Sequence, residues 1–186
     1  MDTPPMTASE IHSHATWTAL LWALSYPGRP RQLPAQDLHA FQAIAEALID
    51  LETSYYVAMP ELEAILARTG GRARPAAEAL YQFYPVLSPE ALATVQAAPV
   101  GSYLYPDESA TLVIGCTLGD GAVLAISGPG IAAPEQIRIG GIPDAFWNMR
   151  AQACRFPLGW DLLLIDHAQV IGLPRTTQIE VQSWPM

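Results

Sequence analysis

Three short stretches and a few scattered side chains hold the residue types that catalysis or anion binding would need. In Pro174-Arg175-Thr176-Thr177 a planar guanidinium stands beside two hydroxyls, a set able to grip a phosphate or a partner's carboxylate through paired hydrogen bonds. The competing reading of Arg175 is a structural ion pair to Asp161 or Glu180. Gly128-Pro129-Gly130 follows an apolar run, a place where successive backbone N–H groups form anion nests. It lacks GxGxxG spacing and a phosphate-binding lysine, so a plain turn is the alternative. Pro157-Leu158-Gly159 reads as a rigid entry to a strand beginning near Asp161, with Gly159 supplying a backbone conformation costly for other residues. Asp161 reads as a cap or ion-pair partner, because spacing fixes no histidine or second carboxylate beside it. Cys154, His167 and Asp166 would together supply thiolate, base and orienting acid for acyl transfer. Against that stand a buried thiol on a helix and a His167-Ala168 turn between strands. His12 and His14, two residues apart on a helix, face different sides and do not share a metal. No catalytic residue emerges, and no metal site is expected.

What the chain lacks narrows the chemistry further. All nine basic residues are arginines. Without lysine there is no Walker A phosphate contact and no Schiff base to pyridoxal phosphate. Eighteen acids bring the net charge to -9, which repels nucleic-acid backbones and leaves no basic tract to displace their counterions. Cys116 and Cys154 form no CxxC pair, so neither a disulfide framework nor a zinc knuckle is indicated. No cofactor is expected. No apolar stretch reaches the roughly 18 to 20 residues of a membrane span, and the opening MDTPPMTASE lacks a signal peptide's charged start and apolar segment. The expectation is a cytoplasmic protein that binds no membrane.

The elements that must position these residues follow from periodicity. Ser9 to Tyr26 predicts an amphipathic helix capped by Ser9 and stopped by Pro27-Gly28. A second helix is predicted over about 34–50 and a third over 61–68, closed by Gly70-Gly71. Residues 54–59 and 82–87 read as strands, 72–80 as a short helix, and 89–97 as a helix capped by Ser88. Two apolar runs, 111–116 and 122–126, flank Gly119-Asp120-Gly121 and predict a hairpin. Residues 143–154 predict a helix exposing Asp144, Arg150 and Arg155; strands follow at 161–165, 170–173 and 178–181. Of five tryptophans (Trp17, Trp22, Trp147, Trp160, Trp184), some should face a partner and most the core. A chain of 186 residues fits one domain, here 9–186 after a loose 1–8, of layered α/β type with a mixed sheet.

Several stretches, in order along almost the whole chain, carry a resemblance. They are Leu24-Ser25-Tyr26-Pro27-Gly28, Thr111-Leu112-Val113, Ser127-Gly128-Pro129-Gly130-Ile131, Phe156-Pro157-Leu158-Gly159-Trp160-Asp161, and Gly172-Leu173-Pro174-Arg175-Thr176-Thr177 with Ile179-Glu180-Val181. The set resembles the PhnH family of the bacterial carbon-phosphorus lyase system, whose proteins carry FPLG-x-D and PRTT-x-x-EV patterns. The stretch from Ala73 to Pro99 matches loosely. The resemblance implies a fold like the large domain of type I pyridoxal-phosphate transferases without that cofactor. It also implies a homodimer that joins PhnG-, PhnI- and PhnJ-type subunits. Their complex transfers methylphosphonate to the ribose of a nucleoside triphosphate, so nucleotide or phosphonate is a possible ligand. The expected role is that of an accessory, noncatalytic or co-catalytic subunit. The alternative is a free-standing transferase or hydrolase of a small phosphorylated substrate.

Overall fold

In the computed structural model, which describes residues 5–182, helix α1 (Ala8–Ser25) opens on a reciprocal cap. The Thr7 hydroxyl accepts from the Glu10 N–H at 3.2 Å, and the Glu10 carboxylate accepts from the Thr7 N–H at 2.7 Å. The cap is therefore Thr7, two residues before the expected Ser9. There follow β1 (Arg31–Gln32), α2 (Leu38–Leu48), β2 (Ser54–Val57), α3 (Pro60–Leu66), β3 (Arg72–Ala73), β4 (Tyr81–Tyr84) and α4 (Leu92–Gln96). The second half supplies β5 (Thr111–Gly115), β6 (Thr117–Ser127), β7 (Glu135–Gly140), α5 (Asp144–Ala153), β8 (Asp161–Asp166), β9 (Gln169–Leu173) and β10 (Gln178–Gln182).

The main sheet has the order β1-β9-β8-β5-β4-β2-β3. Strands β8, β5, β4, β2 and β3 run parallel, and β9 joins β8 antiparallel. A second sheet, β10-β6-β7, is antiparallel throughout. Alternation along the central strands divides the core. Leu112, Ile114, Leu162 and Leu164 face a cluster that includes Leu124, Ile126, Phe146, Trp147 and Trp160. Val113, Leu163 and Ile165 face Leu20, Phe41, Ile44 and Leu62 on α1, α2 and α3. The layers are helices, mixed sheet, then small sheet with α5, so the layered α/β expectation with a mixed sheet holds.

Three expectations fail for identifiable reasons. The runs 111–116 and 122–126 are not a hairpin: β5 pairs with β4 and β8, and the second run belongs to β6 in the other sheet. An unbroken apolar run such as Leu112-Val113-Ile114 suits a parallel strand covered on both faces. Gly119-Asp120-Gly121 lies inside β6, where the register on β7 shifts between Leu118 and Ala122. Residues 72–80 hold no helix, since Arg72 and Ala73 extend the sheet beside β2. Arg150 is not exposed but 2 % accessible. The tryptophans divide: Trp147 and Trp160 are core, Trp17 and Trp22 are about half exposed, and Trp184 lies outside the described residues.

Candidate functional site

The turn after β9 is where the predicted residues meet. The Thr177 N–H donates to the Pro174 carbonyl at 2.8 Å, closing a four-residue turn. Within it the Arg175 guanidinium pairs with Asp161 at the start of β8: Nη2 donates to Oδ2 at 2.6 Å, Nε donates to both carboxylate oxygens, and the Arg175 backbone N–H donates to Oδ1 at 2.7 Å. Nη1 donates to the Pro106 carbonyl. Of the two acids offered by the sequence, Asp161 takes this pair. Both side chains are about one fifth exposed, so the pair is only partly screened by water.

Gly128, at the end of β6, has φ +129°, and a Cβ there would stand 2.8 Å from the Thr176 carbonyl oxygen. Only glycine lets the two backbones approach so closely. Gly130 instead packs on Ser25 and Pro27 after α1. Gly159 has φ +134°, and a Cβ there would lie 2.7 Å from Cys154 Sγ. Pro157 and Gly159 thus shape the passage from α5 to β8 and press it against the end of the helix.

Beneath the turn lies a residue the sequence reading misplaced. Arg150 donates through Nη1 to the Thr177 carbonyl at 3.2 Å, and through Nη2 to the Leu173 and Pro174 carbonyls at 3.3 and 2.8 Å. It fastens the turn from inside. Burial pulls its pKa down, opposed by charge on Cys154 and Asp161. Phe146 and Trp147, four and three residues earlier, are buried on the same helix face, and that spacing was the available signal. A cleft of about 320 Å³ opens here, lined by Arg150, Cys154, Phe156, Arg175, Thr176, Thr177 and Glu180, among others.

A second cleft, of about 430 Å³, lies at the opposite end of the parallel strands, among Asp37, Phe41, Met59, Pro85, Cys116, Thr117, Asp166 and His167. Carboxyl ends of parallel strands are the usual ligand face of open α/β sheets. His167 Nδ1 donates to Asp37 Oδ1 at 2.7 Å, and Nε2 lies 3.8 Å from Asp166. These acids raise the His167 pKa above its ordinary 6.5. Among the described residues Asp37 and His167 alone, apart from glycines, have positive φ, a strain characteristic of binding sites. Burial and the Asp166 carboxylate push the Cys116 thiol up to about 12, so it is no nucleophile at neutral pH. Cys154 and His167 stand at opposite ends of β8, a strand of six residues spanning about 20 Å. No thiolate–imidazole pair assembles.

The motif segments thus pack together in the fold. The family model of PhnH, the bacterial phosphonate metabolism protein, matches residues 6–180. The chain belongs to the PhnH family. It is similar to the "Putative C-P lyase subunit protein HtxG" of Stutzerimonas stutzeri, 31 % identical over 167 residues, 88 % of this chain and 83 % of that protein. It is also similar to the "Alpha-D-ribose 1-methylphosphonate 5-triphosphate synthase subunit PhnH" of Rhizobium meliloti (strain 1021), 41 % identical over 83 residues, 44 % of this chain and 42 % of that one. The resemblance carried by FPLGWD and PRTT is borne out, and PhnH proteins place the chain in phosphonate metabolism. Among the described residues no helix is long and apolar enough to cross a membrane.

Proposed function

We propose that this protein is an accessory subunit of a carbon-phosphorus lyase assembly, acting with PhnG-, PhnI- and PhnJ-type subunits where methylphosphonate is joined to the ribose of a nucleoside triphosphate. The observation that carries this reading is the family match over residues 6–180, and both relatives, each named as a subunit, support it. A pyridoxal-phosphate-transferase-like fold without the cofactor, a cytoplasmic location and a homodimer belong to the same proposal. The surface around Arg175, Thr176, Thr177, Gly128 and Gly130 is read as the anion- or partner-binding face. Phe156 in its cleft and the neighbouring Tyr103, Leu104 and Tyr105 are exposed, and large aromatics are favoured at partner interfaces. The dimer contact is assigned to α1, where Ile11, Trp17, Leu21 and Trp22 are exposed opposite a face already buried in the core. A helix apolar on both sides needs cover on both.

The test is affinity purification of the tagged protein from its own cells grown on methylphosphonate as sole phosphorus source, with mass spectrometry of what accompanies it. Recovery of the other lyase subunits is expected. A lone protein that turns over a phosphorylated substrate would replace this reading with the free-standing enzyme.

A further inference from the structure

Arg150 is a buried cation with no carboxylate among its hydrogen-bond partners in the described residues. Its two terminal nitrogens donate to three carbonyls of the Leu173–Thr177 segment. Among the described residues its Nε–H is buried without a partner, and so is the Thr177 hydroxyl. Both residues are 2 % exposed, and both line the same cleft. A buried donor left unpaired costs about 1–3 kcal/mol, and more on a charged group. Two such donors on residues that line one cleft, one of them on a cation, match the needs of an oxyanion, which accepts from both and supplies the missing negative charge.

The rest of the lining defines the anion. Ala151, Phe156 and Ile179 give apolar wall, while Glu180 places a carboxylate in the lining. In a chain of net charge -9 that carboxylate disfavours ligands of high negative charge. Arg175 adds little, since all three of its nitrogens are engaged by Asp161 and Pro106. Phe156, an aromatic lining side chain 74 % exposed, would have to move aside to admit a ligand to the covered donors.

We propose that this cleft binds a small oxyanion carrying a short apolar group, of the phosphonate or carboxylate kind, with its oxygens on Arg150 Nε and Thr177 Oγ1. The proposal rests on reading the Pro174–Thr177 face as an anion site, and it moves the recognising charge from Arg175 to Arg150. A nucleoside triphosphate is not its ligand.

The sequence makes a direct assay simple. With nine arginines and no lysine, a ¹H–¹⁵N spectrum of the intact protein carries at most nine arginine Nε–H signals. Methylphosphonate and propionate are titrated separately, with inorganic phosphate and sodium chloride as references at matched ionic strength. The expected result is a saturable shift of the Arg150 signal with methylphosphonate, propionate or both, which also tells the phosphonate from the carboxylate source. Inorganic phosphate is expected to bind at least about tenfold more weakly. Thr177→Val keeps the carbonyl that Arg150 holds and removes only the hydroxyl, and should weaken binding about tenfold. The proposal is overturned if the signal responds only as it does to chloride, if phosphate binds equally well, if Thr177→Val binds as the parent does, or if Nε–H contacts a long-lived water and ignores every anion. Lyase subunits that still co-purify with a protein failing this assay would sink the anion site and leave the accessory role standing.

Discussion

Replacing Asp161 by asparagine tests whether Arg175 is structural. The substitution keeps the volume and removes the charge. It deprives the Arg175 backbone N–H of a carboxylate acceptor at 2.7 Å and the guanidinium of its contact at 2.6 Å, and turns an amide N–H₂ toward one of them. Exposed ion pairs contribute about 0–1 kcal/mol, whereas breaking a buried one costs about 3–5 kcal/mol. Side-chain exposures of 18 % and 22 % put this pair between those limits, so Asp161→Asn should cost about 2–3 kcal/mol. For a chain of this length that is a fall in Tm of about 5–10 °C. Urea unfolding should show a lowered midpoint at unchanged slope, and a double-mutant cycle with Arg175→Met should return a coupling of about 1.5–3 kcal/mol. Stability within about 0.5 kcal/mol of the parent would refute the reasoning. It would mean that solvent screens the pair and leaves the guanidinium available to an anion.

Other outcomes follow from the same geometry. The His167 pKa, read by NMR, should lie above the ordinary histidine value and fall toward it in Asp37→Asn; the raised folded value means that the contact stabilises fully below pH 6.5 and that this contribution is lost as pH rises through the folded pKa. An unchanged titration in the variant would remove Asp37 as the cause. Cys116, its thiol pushed up to about 12, should resist iodoacetamide at pH 8 in the native protein and react once unfolded; rapid native labelling would contradict its burial. Leu21→Glu on the outer face of α1, where the parent side chain is 63 % exposed, should leave Tm nearly unchanged while converting the proposed dimer to a monomer by sedimentation velocity. A dimer that persists would place the contact elsewhere.

The difference between what the sequence disclosed and what it hid is one of range. Elements whose period is internal were readable: α2 from Phe41, Ile44 and Ala45 on one face, and β8 and β9 joined at a His167-Ala168 turn. The pairing of β5 was not, because its partners lie about 30 and 50 residues away at Tyr81–Tyr84 and Asp161–Ile165, while the adjacent apolar run imitates a hairpin arm. Arg150 was misread by residue type, since arginine is seldom buried. Its spacing from Phe146 and Trp147 pointed inward, but nothing local could name the carbonyls of residues 173, 174 and 177 as its acceptors. The strand-end cleft was invisible for the same reason, as Asp37 and His167 are 130 positions apart.

Segments that carried the family resemblance are scattered through the sequence but chained by contact in the fold. The Gly28 N–H donates to the Gly172 carbonyl at 3.2 Å, Gly130 presses on Ser25 and Pro27, and Gly128 presses on Thr176. Asp161, at the end of the FPLGWD stretch, binds Arg175, and Gly159 within it packs on Cys154, one turn after Arg150. Two of these contacts, Gly128–Thr176 and Asp161–Arg175, reach the segment that follows β9; the others join the end of α1 to β9 and to the small sheet, and α5 to the β8 entry. A core needs only apolar volume at these junctions, and many sequences supply that. What these segments supply instead is close backbone approach at glycines and the oriented Arg175 guanidinium in one four-residue turn, which Arg150 of α5, outside these segments, holds from within. Those devices fix the shape of a surface, so the family's shared residues are better explained by what that turn must present than by the stability of the domain beneath it.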